Sequence, residues 1–190
     1  MIRTYLLLLC FAGFAHSSAQ SLSGIVNNYT AVMSIDSCVG SLRVADTSGF
    51  HKDDGVLIVQ MQGAGISTAN NSGYGAIQSM NGAGKFEKAT IDSVAADVLF
   101  VRHRLVNTYQ PAGHVQVVRI ACFASAVVSD TVRALPWNGQ TGGIVALEIA
   151  DTLVLNAPIV ADGAGFRGGA ATVAPVNNCN FLIPETAYFY

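Results

Sequence analysis

The chain has 190 residues, of which 51% are hydrophobic and 12% charged, and its 10 Lys and Arg against 12 Asp and Glu give a formal net charge of −2. A chain this apolar is not a disordered polymer, and one this weakly acidic lacks the basic stripe that nucleic acid requires. Its length allows one domain or two small ones.

Met1-Ile2-Arg3 supplies a positive start, and Tyr5–Ala15 is an apolar run too short to span a bilayer. Ser17-Ser18-Ala19 places small residues where a signal peptidase cuts, so residues 1–19 read as a secretory signal peptide and the mature chain starts at Gln20. Cys10 is not a lipoprotein anchor on this reading, because Leu9 stands where a small residue is needed. Losing Arg3 leaves nine basic residues against 12 acidic ones. No later apolar run reaches membrane-spanning length, so no membrane span is expected after cleavage.

Three cysteines remain, Cys38, Cys122 and Cys179. Export permits a disulfide, and the odd count leaves one thiol over. Cys38–Cys122 is the expected pair, since both flank predicted strands. The spacings are too wide for a zinc site, and no metal is expected.

In chain order, Ser21–Asn28 is a polar lead-in, and Tyr29–Ile35 and Leu42–Val44 read as strands split by Ser37–Gly40. The turn formers of Asp46–Gly55 precede an apolar strand at Val56–Gln62. Gly63–Gly84 is a loop of Gly, Ser, Asn and Ala, long enough to suggest function or disorder. Phe86–Ile91 and Val98–Val101 form a predicted hairpin around Ser93–Asp97, and Val115–Ile120 is another strand. Ala124–Val132 fits a strand or a short helix. Pro136–Gly143 is rich in turn residues and is taken as the domain boundary.

After it, the runs Ile144–Ile149, Thr152–Leu155 and Pro158–Ala161 are separated by only two residues each. No helix fits that spacing, so these are short strands joined by tight corners, as in a β-solenoid or a sandwich edge. Their expected buried face holds Ile144, Ala146, Val154 and Ile159. Such a face is covered only by stacking further coils. With a terminal Tyr188-Phe189-Tyr190 and no cap, the chain is expected to be part of a longer protein.

Motifs for chemistry are sparse. Gly163-Ala164-Gly165-Phe166-Arg167-Gly168 fits G-x-G-x-x-G, but Pro175 and the lack of helical periodicity after it exclude the dinucleotide context. These glycines read as corners, and no cofactor is expected. Asp53-Asp54-Gly55 is the nearest approach to a calcium loop and is better read as a solvated turn. Glu148 is a lone acid in an apolar strand, which alternation turns outward. His51, His103 and His114 have no metal or catalytic spacing, and there is no G-x-S-x-G elbow. Arg102-His103-Arg104 reads as a solvated strand end. Trp137, Tyr74, Tyr109 and the terminal Tyr188, Phe189 and Tyr190 are candidates for stacking on sugar rings, with a core or corner anchor the plainer role for Trp137.

Several segments in succession resemble one family. They are Asn28-Tyr29-Thr30-Ala31-Val32, Gly49-Phe50, Asp54–Ala64, Pro136-Trp137-Asn138-Gly139 with Thr141-Gly142-Gly143, and Asp162–Gly169. Together they resemble the N-terminal regions of large secreted surface proteins of Bacteroidota, many of which end in gliding-motility-associated or type IX sorting domains. The resemblance implies a secreted or cell-surface, adhesin-like or structural protein, with surface polysaccharide or other surface proteins as partners and no catalytic residues. It also implies O-glycosylation at Asp-Ser/Thr-aliphatic tripeptides, which places candidate sites at Ser93, Thr131 and Thr152. The sequence therefore predicts an all-β protein: a small β-barrel or sandwich unit over residues 21–135, then the start of a β-solenoid or second sheet over 137–190. The expected function is a non-catalytic structural or adhesive module. The alternatives are a carbohydrate-active β-helix enzyme, either a polysaccharide lyase or a glycosidase, and a carbohydrate-binding module.

Overall fold

Alternation sets the architecture, and the run Gly55–Gln60 shows it most plainly: Val56, Ile58 and Gln60 are buried while the residues between them are half-exposed. A period of two is that of a strand with one face on a core. The computed structural model describes residues 19–165, and the expected signal peptide lies outside them. The described part is nearly all strand. In chain order the strands are β1 (Gln20–Gly24), β2 (Tyr29–Asp36), β3 (Ser41–Val44), β4 (Gly55–Gln60), β5 (Gly65–Ile66), β6 (Ile77–Ser79) and β7 (Phe86–Ala95). They continue with β8 (Val98–Val101), β9 (Val115–Arg119), β10 (Ala121–Phe123), β11 (Ala126–Arg133), β12 (Leu147–Ile149), β13 (Leu153–Leu155) and β14 (Ile159–Val160), and a single 3-10 turn spans Pro111–Gly113.

Six strands close a barrel in the order β2-β3-β8-β7-β4-β9, and every pair is antiparallel. Closure removes the open edges that a sheet otherwise exposes. Leu42, Val56, Ile58, Ile91, Leu99 and Val117 fill the interior with no residual exposure. Each aliphatic side chain buried this way contributes about 1.5–3 kcal/mol.

β5 and β6 form a separate antiparallel pair, and the other strands outside the barrel run parallel. β1 pairs with β11, which pairs on its other side with β13 and β14, and β10 pairs with β12. Parallel strands joined by short corners are the geometry of a solenoid, and one coil takes 26 or 27 positions, as from Cys122 to Glu148 or from Ala126 to Leu153. Leu22, Ala126, Val128 and Val132 form its buried core.

Three expectations change. The lead-in Ser21–Asn28 contains β1, whose QSLSG sequence buries only Leu22, so a polar edge strand passed for a loop. Because β1 pairs with β11, and β11 with β13 and β14, the parallel sheet straddles the boundary expected at 136–143, and the barrel is an insertion between β1 and β10. Leu153 and Leu155 lie in register with the buried Ala126 and Val128, and Val154 with the half-buried Val127, so the core-facing register falls on the two leucines rather than on Val154, although all three residues of β13 are exposed. A shift of one residue exchanges the two faces of a strand.

The expected Cys38–Cys122 disulfide is not formed, and both are exposed free thiols. Tyr29 at the start of β2 pairs with Val118, just before Cys122, while Cys38 lies beyond Asp36 at the far end of β2. The intervening strand is about 20 Å or more long at ~3.3 Å per residue, far beyond disulfide reach. Cys179 lies outside the described residues.

Candidate functional site

The barrel is docked onto the solenoid by three polar side chains that meet at one seam, from β9, from the start of β2 and from the link between β1 and β2. Gln116 on β9 has no residual exposure; its Nε2 donates to the Gly142 carbonyl at 3.0 Å and its Oε1 accepts from the Gly142 N–H at 2.9 Å. Asn27 donates from Nδ2 to the carbonyls of Arg119 (2.9 Å) and Ala146 (2.6 Å), and accepts from the Ala146 N–H at 3.1 Å. The Tyr29 hydroxyl donates to the Ile144 carbonyl at 2.5 Å and lies 3.4 Å from the Leu135 N–H, which donates to it. Burial raises the Tyr29 pKa, and the Leu135 N–H opposes the shift. A fully paired polar network of this kind fixes one relative placement, because each broken bond leaves a buried group unsatisfied.

The corner 136–143 is built for this contact. Gly142 has φ +115°, and a Cβ there would lie 2.7 Å from the carbonyl oxygens of Leu135 and Pro136. Trp137 is buried and meets the His114 ring edge-on at 6.3 Å, and His114 Nδ1 lies 3.2 Å from Gln140 Oε1. Trp137 is thus a corner anchor.

Beside the seam is an open recess of about 390 Å³ lined by Ile25, Asn27, Asn28, Tyr29, Asp46, Ser48, Gly49 and Leu135. The Asp46 carboxylate accepts from the Ser48 hydroxyl (2.6 Å) and N–H (2.8 Å), and these bonds hold its pKa below the usual value. Asn28 Nδ2 donates to the Gly49 carbonyl at 3.0 Å. One carboxylate, one phenol and two amides line this recess, which can accept and donate hydrogen bonds. It does not hold the pair of acids that glycoside cleavage uses.

Most other acids are engaged elsewhere. Asp54 pairs with Arg119 at 2.8 Å, out of hydrogen-bond alignment, and accepts from the His51 N–H. Asp53 pairs with Arg102, Asp97 with Arg43 and Glu148 with Lys88. The Asp53-Asp54-Gly55 turn is therefore an ion-paired corner. The Lys88 ammonium holds the Glu148 pKa down. The Cys122 thiol is pushed up, first by burial and then by Glu148, which disfavours the thiolate a nucleophile needs. Glu87 accepts from the N–H groups of Val106 and Asn107, tying down the loop after β8. Among the described residues, no group of three His, Cys, Asp or Glu side chains is placed to hold a metal.

The long loop between β4 and β7 carries the β5–β6 hairpin. It is rooted in the barrel by the buried Gln60, whose amide donates to the Gln62 and Asn81 carbonyls and accepts from the Gln110 N–H. Ile66, Tyr74, Ile77 and Met80 are exposed on it. Of the aromatics considered for sugar stacking, Trp137 and Tyr109 are buried and Tyr74 is 50% exposed, and the terminal Tyr188, Phe189 and Tyr190 lie outside the described residues. Of the candidate glycosylation residues, Ser93 on β7 and Thr152 before β13 are exposed, and Thr131 on β11 is half-buried. Asn27, Gln60 and Gln116 carry no sequence signal beyond being amides in or next to apolar strands.

No family model matches the chain, and no curated protein matches it. Among solved structures, the Gp54 tailspike of Acinetobacter baumannii bacteriophage AP22, determined in complex with A. baumannii capsular saccharide, matches at 13% identity and a TM-score of 0.34, over 70% of this chain and 24% of that one. The tailspike protein gp49 of Pseudomonas phage LKA1 matches at 14% identity and a TM-score of 0.32, over 73% of this chain and 23% of that one. The chain thus spans about a quarter of the length of these tailspikes. Among the described residues, no helix is long and apolar enough to cross a membrane.

Proposed function

We propose that the chain is a non-catalytic structural or adhesive module of a secreted bacterial surface protein, with surface polysaccharide or other surface proteins as its contacts. One observation carries this reading: the polar side chains are spent on construction. The amides lock the barrel to the solenoid, and most carboxylates cap turns or pair with cations on separate faces. Catalysis needs groups with matched pKa values converging on one substrate position. The recess has one carboxylate, and the raised Cys122 thiol is not poised as a nucleophile. A barrel hydrogen-bonded to a parallel stack, with exposed apolar side chains on its long loop, suits display and contact.

The test is to apply the labelled mature chain to immobilised bacterial capsular and extracellular polysaccharides and, in parallel, to whole cells. Soluble polysaccharide is assayed at the same time for new reducing ends and unsaturated sugars. Retention without cleavage supports the module. Turnover of any polysaccharide overturns it in favour of a β-helix enzyme.

A further inference from the structure

The walls of the recess beside the seam are held in place by hydrogen bonds. The Asp46 N–H donates to the buried Thr30 hydroxyl at 3.1 Å and the Ala45 N–H to the Ala31 carbonyl at 2.9 Å, which ties the turn after β3 to β2. Asn28 is held at both ends. Its carbonyl accepts from the Arg119 N–H at 2.8 Å, and its side-chain amide donates to the Gly49 carbonyl and occupies the space that a Cβ at Gly49 would need. The Tyr29 hydroxyl is engaged with Ile144 and Leu135, so this residue offers the recess its ring. Ile25, 51% exposed, and the half-buried Leu135 add aliphatic surface. At about 390 Å³ the recess has the size of a small-molecule site, roughly 300–1,000 Å³, and such sites are frequent where two units of a fold meet.

Asp46 decides which ligand fits. One of its carboxylate oxygens accepts from the Ser48 N–H and the other from the Ser48 hydroxyl, and each retains a lone pair. Among the described residues Asp46 enters no ion pair, and no Lys, Arg or His lines the recess. An acidic sugar or a phosphate would therefore meet an uncompensated negative charge. A cation would gain little from one exposed carboxylate in water. A hydrocarbon chain would strip water from the carboxylate and the Asn28 amide without replacing its hydrogen bonds. A neutral sugar suits every surface. Two adjacent hydroxyls donate to the two carboxylate oxygens, a further oxygen meets the Asn28 amide, and the C–H face packs on the Tyr29 ring and Ile25.

We propose that this recess is a saccharide-binding site and that its ligand is an uncharged sugar unit with adjacent free hydroxyls, held by Asp46 and Asn28 against Tyr29 and Ile25. The assignment rests on the reading of the chain as a module that contacts surface polysaccharide, and it narrows that reading to one site and one class of glycan.

Retention of the mature chain on immobilised neutral polysaccharides (dextran, mannan and galactan) and acidic ones (alginate and polygalacturonate) tests it, with Asp46→Ala, Ile25→Trp and Tyr74→Ala as variants. Asp46→Ala removes the carboxylate. Ile25→Trp fills the recess from its exposed rim without removing any of these hydrogen bonds, and thermal melts report whether each variant folds. The expected result is retention on at least one neutral matrix, weakened about tenfold or more by Asp46→Ala and by Ile25→Trp, and unchanged by Tyr74→Ala on the loop between β4 and β7. The assignment is overturned, with the adhesive reading left standing, if the wild type is retained on acidic matrices alone or if retention persists in either folded recess variant. Loss of retention in Tyr74→Ala would move the contact to the loop and overturn it as well. If no neutral matrix retains the wild type the assignment fails, and if acidic matrices and whole cells also fail to retain it the adhesive reading falls with it.

Discussion

The Gln116 amide grips both backbone groups of Gly142, donating to its carbonyl at 3.0 Å and accepting from its N–H at 2.9 Å. This clasp joins the last barrel strand to the corner that starts the next coil. It also explains why a fully buried polar residue sits between Val115 and Val117 on β9.

Gln116→Leu keeps the volume and removes both bonds, leaving a buried N–H and a buried carbonyl without partners. The expected loss is about 2–4 kcal/mol, read as a lower midpoint in urea unfolding at unchanged slope. A midpoint within error of the wild type would show that the clasp contributes nothing.

Gly142 and Gly163 both have positive φ, +115° and +65°, but their surroundings differ. Gly142→Ala drives a methyl group against two carbonyl oxygens at 2.7 Å, whereas nothing lies within 4 Å of a Cβ at Gly163. Gly163→Ala is expected to cost about 1 kcal/mol from backbone strain alone, and Gly142→Ala about 2 kcal/mol or more. Paired thermal melts check the order, and equal melting temperatures would contradict it.

Tyr109 titrates well above an ordinary tyrosine, chiefly through burial and then through the neighbouring Glu87 carboxylate, and burial raises Tyr29 as well. A raised pKa means that the folded state holds the phenolic proton more tightly than the unfolded state. Stability from these groups is therefore complete below about pH 10, the unfolded value, and falls as the pH rises through the folded values. Ultraviolet titration of phenolate formation should show a late component that coincides with loss of the fold. Glu87→Gln retains an acceptor for the Val106 and Asn107 N–H groups and should move that component to lower pH.

Two polar features had opposite legibility. The turn carboxylates Asp36 and Asp46 cap N–H groups two or three residues on, at Cys38 and Val39 and at Ser48, so local sequence suffices to read those turns. Gln60, Gln116 and Asn27 take most of their partners from distant segments, Asn27 from Ala146 across 119 positions. Nothing adjacent to them in sequence marks that role, so the seam and the recess beside it could not be read from the sequence.

By itself the sequence determined the all-β class, the barrel strands and the short strands after Gly143, because period-two alternation and turn residues act over a few neighbours. The hairpin of β7 and β8 and the corner role of Trp137 were legible for the same reason. Tertiary structure decided that β1 joins β11, that the barrel is inserted into the solenoid, and that Leu153 and Leu155, rather than Val154, lie in register with the buried Ala126 and Val128. It also placed Cys38 and Cys122 at opposite ends of β2. These outcomes depend on pairing between segments far apart in the chain, and β pairing carries no local signature of its partner or register.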